Sequence, residues 1–364
     1  MGRLCLCKNP AYRCRILELD SNYGINFPLA ENGPAIFVQE GGRIMIFGRQ
    51  RTTLALAVFC AASISSSAQA QFVREEVLSF DSMNITLAET FNGTKGPKVT
   101  LAGLLRLANP GPNQPVVVIM HGIGGMNGAR GPGDEWSNYL NQNGISTFFV
   151  DSYSGRGLNS PAEVSAKLPS LSRVPDAFAA LEVLSKHPLI DPKKIVVMGL
   201  SHGSMAAIYS NLERFQKSYG TGLQFAAHVS IYGICNVRIQ GDEGATSPIL
   251  FLHGSGDSWV NSEPCRDYAA RLKKAGKDAR MFEYEGADHA FDGPTVPVKK
   301  FPDVKTSSWC NLQENAGGLL NISTGKPLAP TDDCWKTGVG IGYQEAATKK
   351  AHEDALSFLK EVFK

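Results

Sequence analysis

"KKIVVMGLSHGSM", residues 193–205, is the stretch that decides the fold. Ile195 to Met198 form a continuous apolar run, which suits a strand buried on both faces of a parallel sheet. The run ends in glycine, leucine, serine, histidine and glycine, and small helix formers follow directly. A strand that turns this sharply into a helix puts the turning residue into strained backbone geometry, and only neighbours without bulk tolerate it. Gly199 and Gly203 supply that space. The resulting elbow lifts the Ser201 hydroxyl above the sheet at a helix N-terminus, where backbone donors and the helix dipole favour developing negative charge.

The same pattern repeats outward from the elbow. "PVVVIMHG" (115–122), "STFFVDSYSG" (146–155), "HVSIYG" (228–233), "PILFLHGSGD" (248–257) and "ARMFEYEG" (279–286) each read as a strand ending in a glycine-rich or polar turn. Helical patterns lie between them: 134–144, 174–188, 203–216 and 265–276, with a last one over 344–364 that sets Ala355, Leu359 and Val362 on one stripe. Alternating strands and helices predict a doubly wound α/β sheet. Upstream, "EEVLSFDS" and "KVTLAGLLRLA" read as an antiparallel pair. Residues 292–342, rich in Pro, Gly and Asn, form a long insertion in this regular pattern.

A serine hydroxyl is a weak nucleophile and needs a base oriented by a third group. In this architecture the chain order is serine, acid, histidine. Asp257 ends the run at 248–257, and His289 lies in "EGADHAFD" after the next strand, so both fall at the same sheet edge as Ser201. Asp288 and Asp292 flank His289 and read as loop carboxylates. His121 and His253, beside glycine at strand ends, read as turn residues; His228 begins a strand, and His187 and His352 lie on helices. The expected oxyanion donors are the backbone N–H groups of His202 and, from the glycine-rich loop 121–125, Ile123. Tyr153, Arg156 and Trp259 are candidates for lining the pocket.

With 43% hydrophobic and 19% charged residues among 364, the chain has an ordinary globular composition. The net charge of +2 is small and the basic residues are spread out, which argues against a nucleic-acid partner. From Met45 the sequence has a basic lead (Arg49, Arg51), a short apolar core and Ala68-Gln-Ala70, the pattern of a signal peptide over 45–70. Its core of about ten residues is too short for stable insertion in a bilayer. Residues 1–44 are expected to be a misassigned upstream extension, with 71–364 a single exported domain, periplasmic or extracellular. Cleavage after Ala70 brings the net charge near −1. Four cysteines then remain, Cys235, Cys265, Cys310 and Cys334, an even number that predicts two disulfides. Of the three possible pairings, Cys310 with Cys334 closes the insertion on itself, and Cys235 with Cys265 joins loops after neighbouring strands.

"HGIGG", "DSYSGRG", "GLSHGSMAA", "HGSGD" and "DHAF", in this order, resemble the dienelactone hydrolase family of α/β-hydrolases over essentially residues 72–364. The resemblance implies that fold, hydrolysis of carboxylic esters and no cofactor. The family's namesake enzymes carry cysteine at the nucleophile where this chain has Ser201, so dienelactone itself is not carried over as substrate. No metal motif appears in the mature chain. The reading is a secreted serine esterase acting on a small-molecule ester. Two rivals are a prolyl-oligopeptidase-like peptidase, which shares the elbow and chain order, and an idle hydrolase-like binding protein.

Overall fold

The computed structural model describes residues 74–126, 131–316 and 318–364, together with five short strands between residues 3 and 46. Those strands belong to a separate unit, 1–67, in which Arg3–Cys7, Cys14–Leu19 and Ile25–Asn26 form one antiparallel sheet and Phe37–Glu40 pairs with Arg43–Ile46. Most of the expected signal peptide, with its cleavage site, lies outside the described residues.

The second unit, 68–364, is built on eight strands: β1 (Arg74–Met83), β2 (Lys98–Leu107), β3 (Gln114–Met120), β4 (Ser146–Asp151), β5 (Ile190–Leu200), β6 (Ala227–Ile231), β7 (Ile249–Gly254) and β8 (Ala279–Tyr284). Their order in the sheet is β1-β2-β4-β3-β5-β6-β7-β8. β1, β2 and β4 pair antiparallel and the remaining neighbours pair parallel. This is an α/β-hydrolase fold with a mainly parallel sheet.

Although β3 is apolar from Pro115 to Met120, its side chains alternate between two cores, as the two-residue period of a strand requires. Val116, Val118 and Met120 face one core, and Val117 and Ile119 the other. The first core is closed by residues of helices α4 (Val174–Ser185), α5 (Ser204–Tyr209), α6 (Glu213–Tyr219) and α7 (Glu263–Lys274). The second is closed by α2 (Pro132–Gln142) through Trp136 and Leu140, and by α8 (Glu345–Val362) through Ala351, Ala355, Phe358 and Leu359. Each fully buried Val, Ile or Leu contributes about 1.5–3 kcal/mol. Two short helices, α1 (Leu87–Asn92) and α3 (Pro161–Lys167), lie in connections that carry no strong periodic signal.

One expected helix is divided. Residues 203–216 read as one helical run, but α5 ends at Tyr209 and α6 starts at Glu213. Asn211 occupies the break, where its side chain accepts from Thr246 N (3.0 Å) and Ser247 N (2.9 Å) and donates to Ser247 O. A tertiary contact with the loop before β7 thus overrides local helix propensity.

The insertion is ordered as β-structure. Lys299–Thr306 pairs antiparallel with Lys336–Ile341, and Leu312–Asn315, Gly318–Asn321 and Lys326–Pro327 join Val237–Arg238 in a small four-stranded sheet. Disulfides Cys235–Cys265 and Cys310–Cys334 are both present. Among the described residues no helix is long and apolar enough to cross a membrane.

Candidate active site

Ser201 follows β5 directly and has φ 49°, in the left-handed region that a β-carbon disfavours. Two glycines make this possible. A Cβ on Gly199 would overlap the Gly203 carbonyl, and one on Gly203 would overlap the carbonyl of Met120, the last residue of β3. The elbow can therefore sit against the neighbouring strand. Three of the four described non-glycine residues with positive φ, Ser201, Tyr232 and Ala290, lie at this edge, where strain is maintained by surrounding structure.

Register brings the remaining groups together. Gly199 on β5 pairs with Ser230 on β6, and β6 pairs with β7, so the loops after β5, β6, β7 and β8 open side by side. Ser201 Oγ lies 2.9 Å from His289 Nε2, and His289 Nδ1 lies 2.8 Å from Asp257 Oδ2. The other Asp257 oxygen accepts backbone N–H bonds from Trp259 (2.9 Å) and Val260 (2.8 Å). These bonds fix the carboxylate behind the imidazole. The end of the insertion and the cap of α8 fix the histidine loop in turn: Gly342 N donates to His289 O at 3.0 Å, and Gln344 N to Phe291 O at 2.9 Å.

Burial alone would raise the Asp257 carboxyl, but His289 and His253 beside it outweigh that and hold it below the usual range. His253, expected only to shape a turn, has Nε2 3.0 Å from Val260 O and 3.4 Å from Asp257 Oδ2. The one sequence signal for this role is its place four residues before the acid in "HGSGD". Asp292 departs from its reading as an ordinary loop carboxylate. It is fully buried and accepts from Trp136 Nε1 at 2.7 Å, and burial pushes its carboxyl up to about 6. Tyr232, whose ring packs edge-on 4.8 Å from His289, is its second partner.

Comparison with known proteins adds the family. The model of the dienelactone hydrolase family matches residues 101–363. The chain belongs to that family. Protein usf of Aquifex pyrophilus is 25% identical over 191 residues, 51% of this chain and 80% of that protein. A dienelactone hydrolase-like promiscuous phosphotriesterase from metagenomic libraries superposes with a TM-score of 0.52 at 18% identity, covering 79% of this chain and 98% of its own. At that identity the likeness shows the fold alone.

The family fold here encloses a cleft of about 460 Å³ that reaches Ser201 and His289. Ile123 and His202 line it beside the serine, and so does Trp259. The insertion supplies part of the wall through Val296, Phe301, Thr306 and Ile341. Two pocket candidates lie elsewhere. Arg156 is buried in a bidentate pair with Asp176 (2.8 and 2.9 Å) and donates to Ser152 O and Met83 O, so it ties β1 to α4. The Tyr153 hydroxyl is 3.3 Å from Gly122 O and from His202 Nδ1, which puts the ring behind the loop 121–125. A sequence lacks the partner that distinguishes an arginine in a cleft from one in a buried ion pair.

Proposed function

We propose that the protein is an exported serine hydrolase that cleaves uncharged carboxylic esters through an acyl-enzyme. The observation that carries this reading is the continuous relay from Ser201 Oγ through His289 to Asp257, with heavy-atom distances of 2.9 and 2.8 Å. As the ester carbonyl enters, His289 Nε2 takes the serine proton and Oγ bonds to the carbonyl carbon. Asp257 keeps the ring in the tautomer with Nδ1 protonated and stabilises the imidazolium that forms. The developing oxyanion is received by the N–H groups of Ile123 and His202. Collapse of the intermediate expels the alcohol, which takes its proton from His289, and water activated by the same imidazole then releases the acid.

Among the described residues lining the cleft there is no Asp, Glu, Lys or Arg, which supports an uncharged substrate. Ile123, Phe149, Leu200, Ile234 and Val260 offer apolar surface on either side of the serine. Export is supported by the signal-like sequence at 45–70 and by the two disulfides, which persist in oxidising compartments.

An ester panel measured on residues 71–364 and on the Ser201→Ala variant tests the reading. The parent is expected to turn over short and medium aryl and alkyl esters and to be labelled at Ser201 by a fluorophosphonate. The variant should fold and fall by about 10⁶-fold in kcat, as removal of a triad nucleophile does. Retention of most of the activity by the variant would show that another group carries the reaction.

A further inference from the structure

Arg173 sits at the N-terminus of α4 with a side chain that is fully buried, and it makes no ion pair among the described residues. The carboxylate close to it in sequence, Asp176, is already held bidentately by Arg156 and by the Ser82 hydroxyl. A buried guanidinium stays protonated, and burying a charge without a counter-ion is costly, so a fold that keeps one has a use for it.

Its contacts identify the use. Nη1 donates to His121 O at 2.8 Å and lies 3.2 Å from His202 Nδ1, while Nη2 lies 3.4 Å from His121 Nδ1. The guanidinium also lies over the Tyr153 ring, 5.3 Å from its centre. His121 immediately precedes the loop that carries Ile123, and His202 is the residue after Ser201. Nη1 of one guanidinium thus grips both segments expected to donate to the oxyanion, from the side away from the cleft. The His121 ring accepts from Ser152 N at 3.2 Å through Nε2 and donates from Nδ1 to Gly122 O at 2.8 Å, so it is the neutral tautomer and its Nδ1 does not accept from Arg173. The His202 ring accepts from Arg173 Nη1 through Nδ1, and the Tyr153 hydroxyl, which donates to Gly122 O, lies 3.3 Å from the same nitrogen.

We propose that Arg173 is a positioning residue for ester hydrolysis: it sets the spacing between the Ile123 and His202 donors and places a fixed positive charge behind the oxyanion. This rests on the esterase reading above. It predicts an effect confined to the transition state, because the guanidinium touches backbone and imidazole and never the substrate. Arginine serves better than lysine because its rigid guanidinium directs Nη1 to both acceptors while it lies over the Tyr153 ring.

The test compares Arg173→Met and Arg173→Lys with the parent in three measurements: steady-state kinetics on one aryl ester, inhibition by an aryl trifluoromethyl ketone, and thermal unfolding. Arg173→Met should lose about 10²-fold in kcat with KM within about threefold, the size of effect expected when an oxyanion donor is lost. Its inhibition constant for the ketone should rise by the same factor as kcat/KM falls. Arg173→Lys keeps the charge and loses the fork, so it should recover to within about tenfold of the parent. If Arg173→Met does not fold, Arg173→Lys carries the test alone through the parallel shift of ketone affinity and kcat/KM. A folded Arg173→Met or Arg173→Lys whose ketone affinity stays at the parent value while kcat/KM falls overturns the proposal, as does unchanged kcat in the Met variant. Absence of ester turnover and of fluorophosphonate labelling in the parent would instead overturn the esterase reading itself.

Discussion

His289 is flanked by two buried aspartates, one on the loop after β7 and one three residues further along its own loop, and the two carboxyls have opposite tendencies. Asp257, on the loop after β7, receives two backbone N–H bonds and two imidazoles and is held below the usual carboxylate range. Asp292, on the segment that leads into the insertion, faces Trp136 and Tyr232 and is pushed up to about 6. Depth does not separate them, since both are buried. The difference lies in how many charged or strongly polar groups accompany each carboxylate out of water. A carboxylate becomes an acid-loop partner for an imidazole only when its own negative charge is stabilised, so Asp257 is suited to that part and Asp292 keeps its proton to a higher pH.

Replacing each aspartate by its amide tests this contrast, and the larger effect belongs to the first loop. Asp257→Asn is expected to cut kcat on the order of 10⁴-fold, because the amide favours the wrong imidazole tautomer and cannot stabilise the imidazolium. Circular dichroism should show the fold intact. The folded-state pKa of Asp257 is depressed, so its ionisation stabilises the protein above the unfolded pKa near 3.9, and that contribution is lost as pH falls through the folded value. The variant should therefore lose stability relative to the parent at neutral pH and approach it in acid, as urea titrations at several pH values would read. A loss of less than tenfold in kcat would remove Asp257 from the relay.

The insertion supports the acid loop from outside: Thr306 Oγ1 and Ser308 Oγ both donate to Trp259 O (2.8 and 3.0 Å), and Asn261 N donates to Ser308 Oγ. Cys310 follows two residues later and bridges to Cys334 across a separation of 24 residues. Changing both cysteines to serine should lower unfolding free energy by roughly 3–4 kcal/mol in the chain-entropy model. Because the insertion walls the cleft, KM should rise by about fivefold or more while kcat changes less than threefold, the signature of lost ground-state binding. A larger fall in kcat than in affinity would mean that the acid loop depends on the insertion for its geometry.

These loops also separate what the sequence reveals from what it conceals. That Ser201, Asp257 and His289 meet at one edge is legible because each follows a strand, and a parallel sheet delivers every such ending to one side. The central strands were legible for the same reason, through uninterrupted β-branched stretches closed by glycine. Asp292 was not, because burial is settled by Trp136, 156 positions earlier in the chain. The break between α5 and α6 depends in the same way on Asn211 meeting Thr246 and Ser247. The insertion's strands have no local signal either; Lys299–Thr306 is polar and largely exposed, and it pairs with the half-exposed Lys336–Ile341 across about 30 to 40 residues. Position along the chain predicts what backbone topology collects, and side-chain partners distant in sequence remain hidden.

The smallest expected effect is the most discriminating. Asp292→Asn retains an acceptor for Trp136 Nε1 and removes an ionisation that the folded state opposes. The folded pKa of about 6 lies above the unfolded value near 3.9, so the folded protein binds more protons between those limits. The stabilisation tied to the protonated form is complete below about pH 4 and is lost as pH rises through about 6, an upper bound of roughly 3 kcal/mol from a shift of about two pKa units. Relative to the amide variant, the parent should therefore weaken across pH 4 to 7, opposite in slope to the Asp257 pair. Urea titrations of both proteins over that range would read the difference. Activity should change less than tenfold, since Asp292 makes no hydrogen bond to the imidazole and acts on it through Tyr232 packing and through space. Should Asp292→Asn instead cost as much turnover as Asp257→Asn, the two carboxyls share the task of orienting His289, and the contrast between the loops would reduce to a difference in proton affinity alone.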